Sequence, residues 1–171
     1  SSDCLTAWTE PWTSAFTIIG NSLTSASPIC EKKSSRLILW LDFNISSNLG
    51  IGHTRWATHG VPNDINSHPH KQGKITIVHN GILENYVSLR EELGYEQVTE
   101  TDSEIVALYI DRMLDSMDIL DILNSLKNKF IGSYALGIII DGDSNLYAIR
   151  HDSPLIVGVA SDGNYIASDV P

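Results

Sequence analysis

The run GSYALGIIIDGDSNLYAIRH, residues 132–151, constrains the fold more than any other part of the chain. Two β-rich segments flank an Asp-Gly-Asp turn, which reads as a hairpin. LIVGVA (155–160) and NYIASD (164–169) supply two more short strands, with Ser161-Asp-Gly-Asn164 as the turn. Strands joined by tight turns lie antiparallel, because parallel neighbours need long crossovers.

Ahead of these strands lie helical signals. KITIVHN (74–80) reads as a strand running into a turn. GILENYVSLREEL (81–93) puts Ile82, Tyr86, Leu89 and Leu93 on one helical face. Thr101-Asp-Ser-Glu104 is a capping-box pattern, and the helix behind it should bury Ile105, Tyr109 and Met113. MDILDILNSLKNKF (117–130) is a third amphipathic helix. Helices grouped together, then consecutive hairpin strands, predict an α+β fold with antiparallel sheet rather than βαβ units.

The sequence changes character near residue 49. Residues 1–48 are rich in Ser and Thr, hold three of the four tryptophans and show little periodicity. Their one short apolar run, LILWLDF (37–43), suits a buried strand. The whole chain of 171 residues fits one domain. Its formal net charge of -10 argues against nucleic-acid binding and against docking on anionic lipid. Two cysteines, Cys4 and Cys30, do not make a disulfide framework, so a cytoplasmic setting is expected. No apolar run approaches a transmembrane length, and the start is unlike a signal peptide, so no membrane association is expected.

Chemistry concentrates in His53–Gly60, HTRWATHG, and in the stretch up to Asp102. Five of the six histidines fall between His53 and His79. A metal site built from His53, His59, His68 and His70 competes with a polar loop whose imidazoles bind backbone groups. The polar loop is the better reading, because no H-E-x-x-H is present. Arg55 suits a carboxylate, which its planar fork binds through two parallel hydrogen bonds. Stacking on Trp56 explains it equally well. Asn80-Gly81 is a common turn dipeptide. At a strand-to-helix junction the same pair would aim an amide and an unpaired N–H at one point, as an oxyanion hole does. Asp102, at a helix start, suits capping. It also suits a ligand ammonium, and with Arg55 it would read a free amino acid.

Together GIGHTRWATHG (50–60), NSHPH (66–70), VHNGILENY (78–86), TETDSEIVA (99–107) and GSYAL (132–136) closely resemble the glutaminase domain of the glucosamine-6-phosphate synthase family. So does the SPL…IASDVP run (153–171). These are class II glutamine amidotransferases of the N-terminal-nucleophile hydrolase fold. The resemblance covers residues 49–171, and the segment 1–48 stands apart as unrecognised, mis-assigned or altered sequence. It implies a four-layer αββα sandwich of antiparallel sheets, C-terminally truncated.

It also implies roles. Arg55 would hold the α-carboxylate of glutamine and Asp102 its α-ammonium. Trp56, Thr58 and His59 would belong to a loop that closes over the bound amino acid. Asn80 and Gly81 would form the oxyanion hole. A thiolate would attack the side-chain amide, giving a glutamyl thioester and ammonia, then glutamate. No cofactor is implied. Glutamine and glutamate are the expected ligands. The ammonia would pass to a sugar-isomerising domain that this chain lacks, through which the whole enzyme would associate as a homo-oligomer. Two departures stand out. The family nucleophile is an N-terminal cysteine in a Cys-Gly-Ile context, whereas Cys4 sits in Ser-Ser-Asp-Cys-Leu. REEL-GYEQ (90–97) is also tighter than the family loop. The alternative function is therefore an inactive glutamine- or glutamate-binding module.

Overall fold

A computed structural model describes residues 15–23, 47–54, 63–161 and 163–168. The strand-and-turn reading and the helical reading both reappear in it. The strands are β1 (Ala15–Leu23), β2 (Ser47–Thr54), β3 (His70–Gln72), β4 (Ile75–Leu83), β5 (Gly132–Ile140), β6 (Leu146–His151), β7 (Ile156–Ala160) and β8 (Gly163–Ala167). The helices are α1 (Tyr86–Leu93), α2 (Asp102–Met113) and α3 (Ile119–Lys129). Two four-stranded sheets result, in the orders β2-β1-β8-β7 and β3-β4-β5-β6, and every strand pairing is antiparallel.

Alternation along the strands decides what each sheet faces. Ile75, Ile77, Leu136 and Ile138 turn to one side and pack with Ile105, Ile110, Ile122 and Leu126 of the helices. Val78 and Ala135 turn to the other side and meet Ile166 and Ile51 of the first sheet. Helices, sheet and sheet are three of the four layers expected, all antiparallel α+β. Helix α2 fills the space between its neighbours so closely that Ser103 through Ile110 are all buried.

Two local expectations need correction. Strand β4 does not stop at Asn80: it runs to Leu83 and stays paired with β5 throughout, and α1 starts only at Tyr86. Ile82 is therefore a strand residue, 45% exposed, and not part of a buried helical face. The capping box does not close either. Thr101 is the N-cap but makes no side-chain cap bond. The buried Glu104 carboxylate turns away instead, accepting the Thr99 N–H at 2.6 Å, the Val98 N–H at 3.2 Å and the Tyr95 hydroxyl at 2.8 Å. It thereby satisfies donors of a loop that has no secondary structure of its own. Within the REEL-GYEQ passage, Gly94 adopts the left-handed conformation that ends α1. Strand β1 lies where the sequence offered little periodicity, and LILWLDF (37–43) lies outside the described residues. Among the described residues no helix is long and apolar enough to cross a membrane.

Burial pushes the Glu104 carboxyl up, but the bonds from Thr99, Tyr95 and Val98 outweigh it and hold the group below its ordinary range. A depressed carboxylate contributes stability above its unfolded value, about 4.3. That stability is lost as pH falls through the folded value. Glu104→Gln should therefore lower stability at pH 7 by about 2 kcal/mol, with less further loss on acidification than the parent shows. Urea denaturation between pH 7 and pH 4 checks both.

Candidate functional site

Strand β4 sends its last few side chains to both of its faces. His79 follows Ile75 and Ile77 toward the helices, where its Nδ1 lies 3.0 Å from the Ser103 hydroxyl of α2. Asn80 points the other way, into the layer between the sheets. Its Oδ1 lies 2.9 Å from His53 Nε2 on β2, and its Nδ2 donates to the Ser168 hydroxyl at 2.8 Å, just past β8. A carboxamide oxygen only accepts, so His53 donates here. The Asn80 amide thus sits where three strands converge.

Gly81 is not the first residue of a helix. It is a strand residue opposite Tyr134, with φ +131°, and a Cβ there would run into the Ser133 carbonyl. The glycine is required by that close approach and by its backbone angle. The helix-terminus argument for a donor at Gly81 falls away, because α1 begins five residues later.

Asp102 opens α2, and its carboxylate reaches back to β4. Oδ2 accepts the Leu83 N–H at 2.7 Å, and Oδ1 accepts the Ser103 hydroxyl at 3.4 Å. It also lies 3.7 Å from His79 Nδ1. The carboxylate is thus fixed beside the strand that carries Asn80 and Gly81, with 17% of its side chain exposed. Arg55, Trp56, Thr58 and His59 lie outside the described residues, and so does the expected meeting of Arg55 with Asp102.

The histidines hold one segment to another. His68 Nε2 lies 3.1 Å from the Ser103 hydroxyl, and His70 Nε2 lies 3.1 Å from that of Thr101. The rings of His53, His68 and His70 follow one another at 4.3 and 4.7 Å. Asn66 and Glu100 complete the attachment: Asn66 Nδ2 donates to the Glu100 carboxylate and Asn66 Oδ1 accepts the Glu100 N–H. The Nε2 atoms of His53, His68 and His70 are thus turned to a carboxamide and two hydroxyls, and His59 lies outside the described residues. Among the described residues no three His, Cys, Asp or Glu side chains converge as a ligand set.

Sequence reasoning overlooked Ser103 and Ser168, because nothing local marks a serine whose partner lies tens of residues away. It also gave His79 no more than a turn-holding part. The NSHPH motif did signal a polar loop: Asn66 and Ser67 bind backbone groups, while His68 and His70 also meet the side-chain hydroxyls of Ser103 and Thr101.

A family model described as a glutamine amidotransferase domain matches residues 53–171. The chain belongs to this family. Isomerising glutamine–fructose-6-phosphate aminotransferase of Clostridium acetobutylicum is 51% identical over 133 residues, 74% of this chain and 22% of that protein. The enzyme of the same name from Thermococcus kodakarensis is 48% identical over 134 residues, again 74% and 22%. The chain therefore spans about a fifth of the length of these relatives, at 22%. Among solved structures, glutamine phosphoribosylpyrophosphate amidotransferase from B. subtilis aligns with a TM-score of 0.62 and 25% identity, covering 91% of this chain and 35% of that one. A second, described as the allosteric regulatory enzyme of purine biosynthesis, has the same TM-score of 0.62 at 22% identity, with the same shares of 91% and 35%, and speaks for the fold alone. The amidotransferase domain thus keeps the expected antiparallel sandwich.

Burial lowers the His79 pKa below its ordinary value, and the neighbouring Asp102 only partly opposes this. The folded amidotransferase domain keeps His79 neutral where the unfolded chain takes up a proton. Stability should then fall as pH drops below the unfolded value, about 6.5, with a slope of at most about 1.4 kcal/mol per pH unit from this one group. In His79→Gln the slope between pH 6.5 and 5 should flatten by that amount, as read from urea midpoints.

Proposed function

We propose that this chain is the glutamine-hydrolysing domain of an isomerising glutamine–fructose-6-phosphate aminotransferase, working in the cytoplasm. The observation that carries the reading is the Asn80 amide. It is held between the two sheets on the strand that also receives the Asp102 carboxylate. The names of relatives near 50% identity, such as that at 51%, support the same assignment.

Glutamine would lie with its α-carboxylate on Arg55 and its α-ammonium on Asp102. Trp56, Thr58 and His59 would close over it and exclude water. A thiolate attacks the side-chain amide carbon, and the negative charge that develops on the carbonyl oxygen is taken by Asn80 Nδ2 and the Gly81 N–H. The amide nitrogen takes up the proton that the thiol gave up and leaves as ammonia, the carbon–nitrogen bond breaking as the glutamyl thioester forms. Water then cleaves the thioester to glutamate and restores the thiol. The ammonia would serve a sugar-isomerising domain outside this chain, which would also carry the self-association of the full enzyme. Residues 49–171 are proposed to make up the amidotransferase unit.

Purified protein given L-glutamine should release glutamate. Arg55→Ala should raise KM about tenfold or more with kcat nearly kept, since the α-carboxylate is held alike in ground and transition states. Asn80→Ala should lower kcat about a hundredfold or more with KM nearly kept. Release untouched by both substitutions overturns these roles. Glutamate binding by calorimetry without any turnover would mark the domain as an inactive binding module, and neither binding nor release would overturn the reading altogether.

A further inference from the structure

Asp102 of the proposed glutamine site and two histidines from flanking segments meet at one buried hydroxyl. Ser103, 2% exposed, lies in the first turn of α2 directly after Asp102. Its Oγ lies 3.1 Å from His68 Nε2, 3.0 Å from His79 Nδ1 and 3.4 Å from Asp102 Oδ1. His68 belongs to the segment just beyond the HTRWATHG stretch. His79 is the neighbour of Asn80 on β4. A serine hydroxyl has one proton and two lone pairs, enough for three partners if the roles are allotted correctly. An ionised carboxylate only accepts, so the contact with Asp102 requires the serine proton. Both imidazoles must then donate. If Ser103 gave its proton to an imidazole, an oxygen lone pair would face Asp102 Oδ1, which is repulsive.

We infer that Ser103 is a positioning residue for ligand recognition: its hydroxyl takes N–H bonds from His68 and His79 and donates to Asp102, aiming that carboxylate at the ammonium of the bound amino acid. This rests on the proposed role of Asp102 as the ammonium partner. The other carboxylate oxygen is held by the Leu83 N–H at 2.7 Å, so Ser103 and Leu83 fix both ends of the group. Two of its roughly four lone-pair sites remain for a ligand. The arrangement also fixes two tautomers. His79 carries its proton on Nδ1, leaving the buried Nε2, which has no hydrogen-bond partner among the described residues, as a bare lone pair. His68 carries its proton on Nε2.

Two measurements on the full chain test this. Nitrogen-15 spectra of the imidazoles at neutral pH should show a protonated Nδ1 for His79 and a protonated Nε2 for His68. A proton on Nε2 of His79 overturns the assignment, and this holds whatever the chain binds. Calorimetry then compares L-glutamate with glutarate, which is glutamate without its ammonium. The parent should prefer glutamate, and Ser103→Ala should cut that preference on the order of tenfold while leaving glutarate affinity unchanged. A substitution that weakens both ligands equally, or leaves the preference intact, overturns the positioning role. A parent that does not prefer glutamate overturns the ammonium role of Asp102 itself, a failure of the functional reading and distinct from the other two.

Discussion

The unbroken pairing of β4 with β5 is the constraint on which the rest depends. Nine residues of β4, Ile75 to Leu83, stay in register with β5 from Ile140 back to Gly132. A strand has two faces and cannot mix them. With Ile75 and Ile77 committed to the helices, His79 must follow them, and Asn80 must enter the layer between the sheets. A slip of one residue would exchange the two, placing an imidazole among the strands and a carboxamide against α2. The candidate chemistry is thus set by backbone register before any side-chain contact is made.

Polar side chains then hold together what the ladders do not reach. The stretch from Tyr95 to Thr101 has no regular structure, and its donors find Glu104. The segment from Asn66 to His70 finds Glu100, Thr101 and Ser103. All of these partners lie in or beside the first turn of α2, where Asp102 also sits. Burying so many polar groups at one helix start is costly unless each is paired. Pairing them also gives the region a single arrangement. The carboxylate proposed to meet the ligand therefore stands on a scaffold fixed from several directions.

How far the sequence could be read depends on the reach of each signal. Turn residues around Asp-Gly-Asp and the apolar spacing of α2 and α3 are local, and those elements were legible. The boundary at Asn80-Gly81 was misread because Gly81, Ile82 and Leu83 suit a strand as well as a helix. Only their pairing with β5 decides. Strands β1 and β2 were invisible for the same reason: SNLGIGHT carries glycines and little alternation, and it is a strand because β1 lies beside it. The motifs around Arg55, Asn80 and Asp102 were legible as a family resemblance, and the match over residues 53–171 bears out the family. The links from His68, His70 and His79 to α2 were not legible, since each spans more than twenty residues of chain.

Asn80 faces Ala135 across the β4–β5 pair, and Ala135 is fully buried between the sheets beside Val78 and Ile166. Stacked sheets ordinarily stand about 10 Å apart, while a hydrogen bond tolerates only a few tenths of an ångström. The Asn80 amide spans that gap to Ser168. The methyl group of Ala135 therefore acts as a shim: a bulkier side chain would wedge the sheets apart and swing the amide off its aim without touching it. The gauge of the interior, set by one of its smallest residues, becomes part of the instrument.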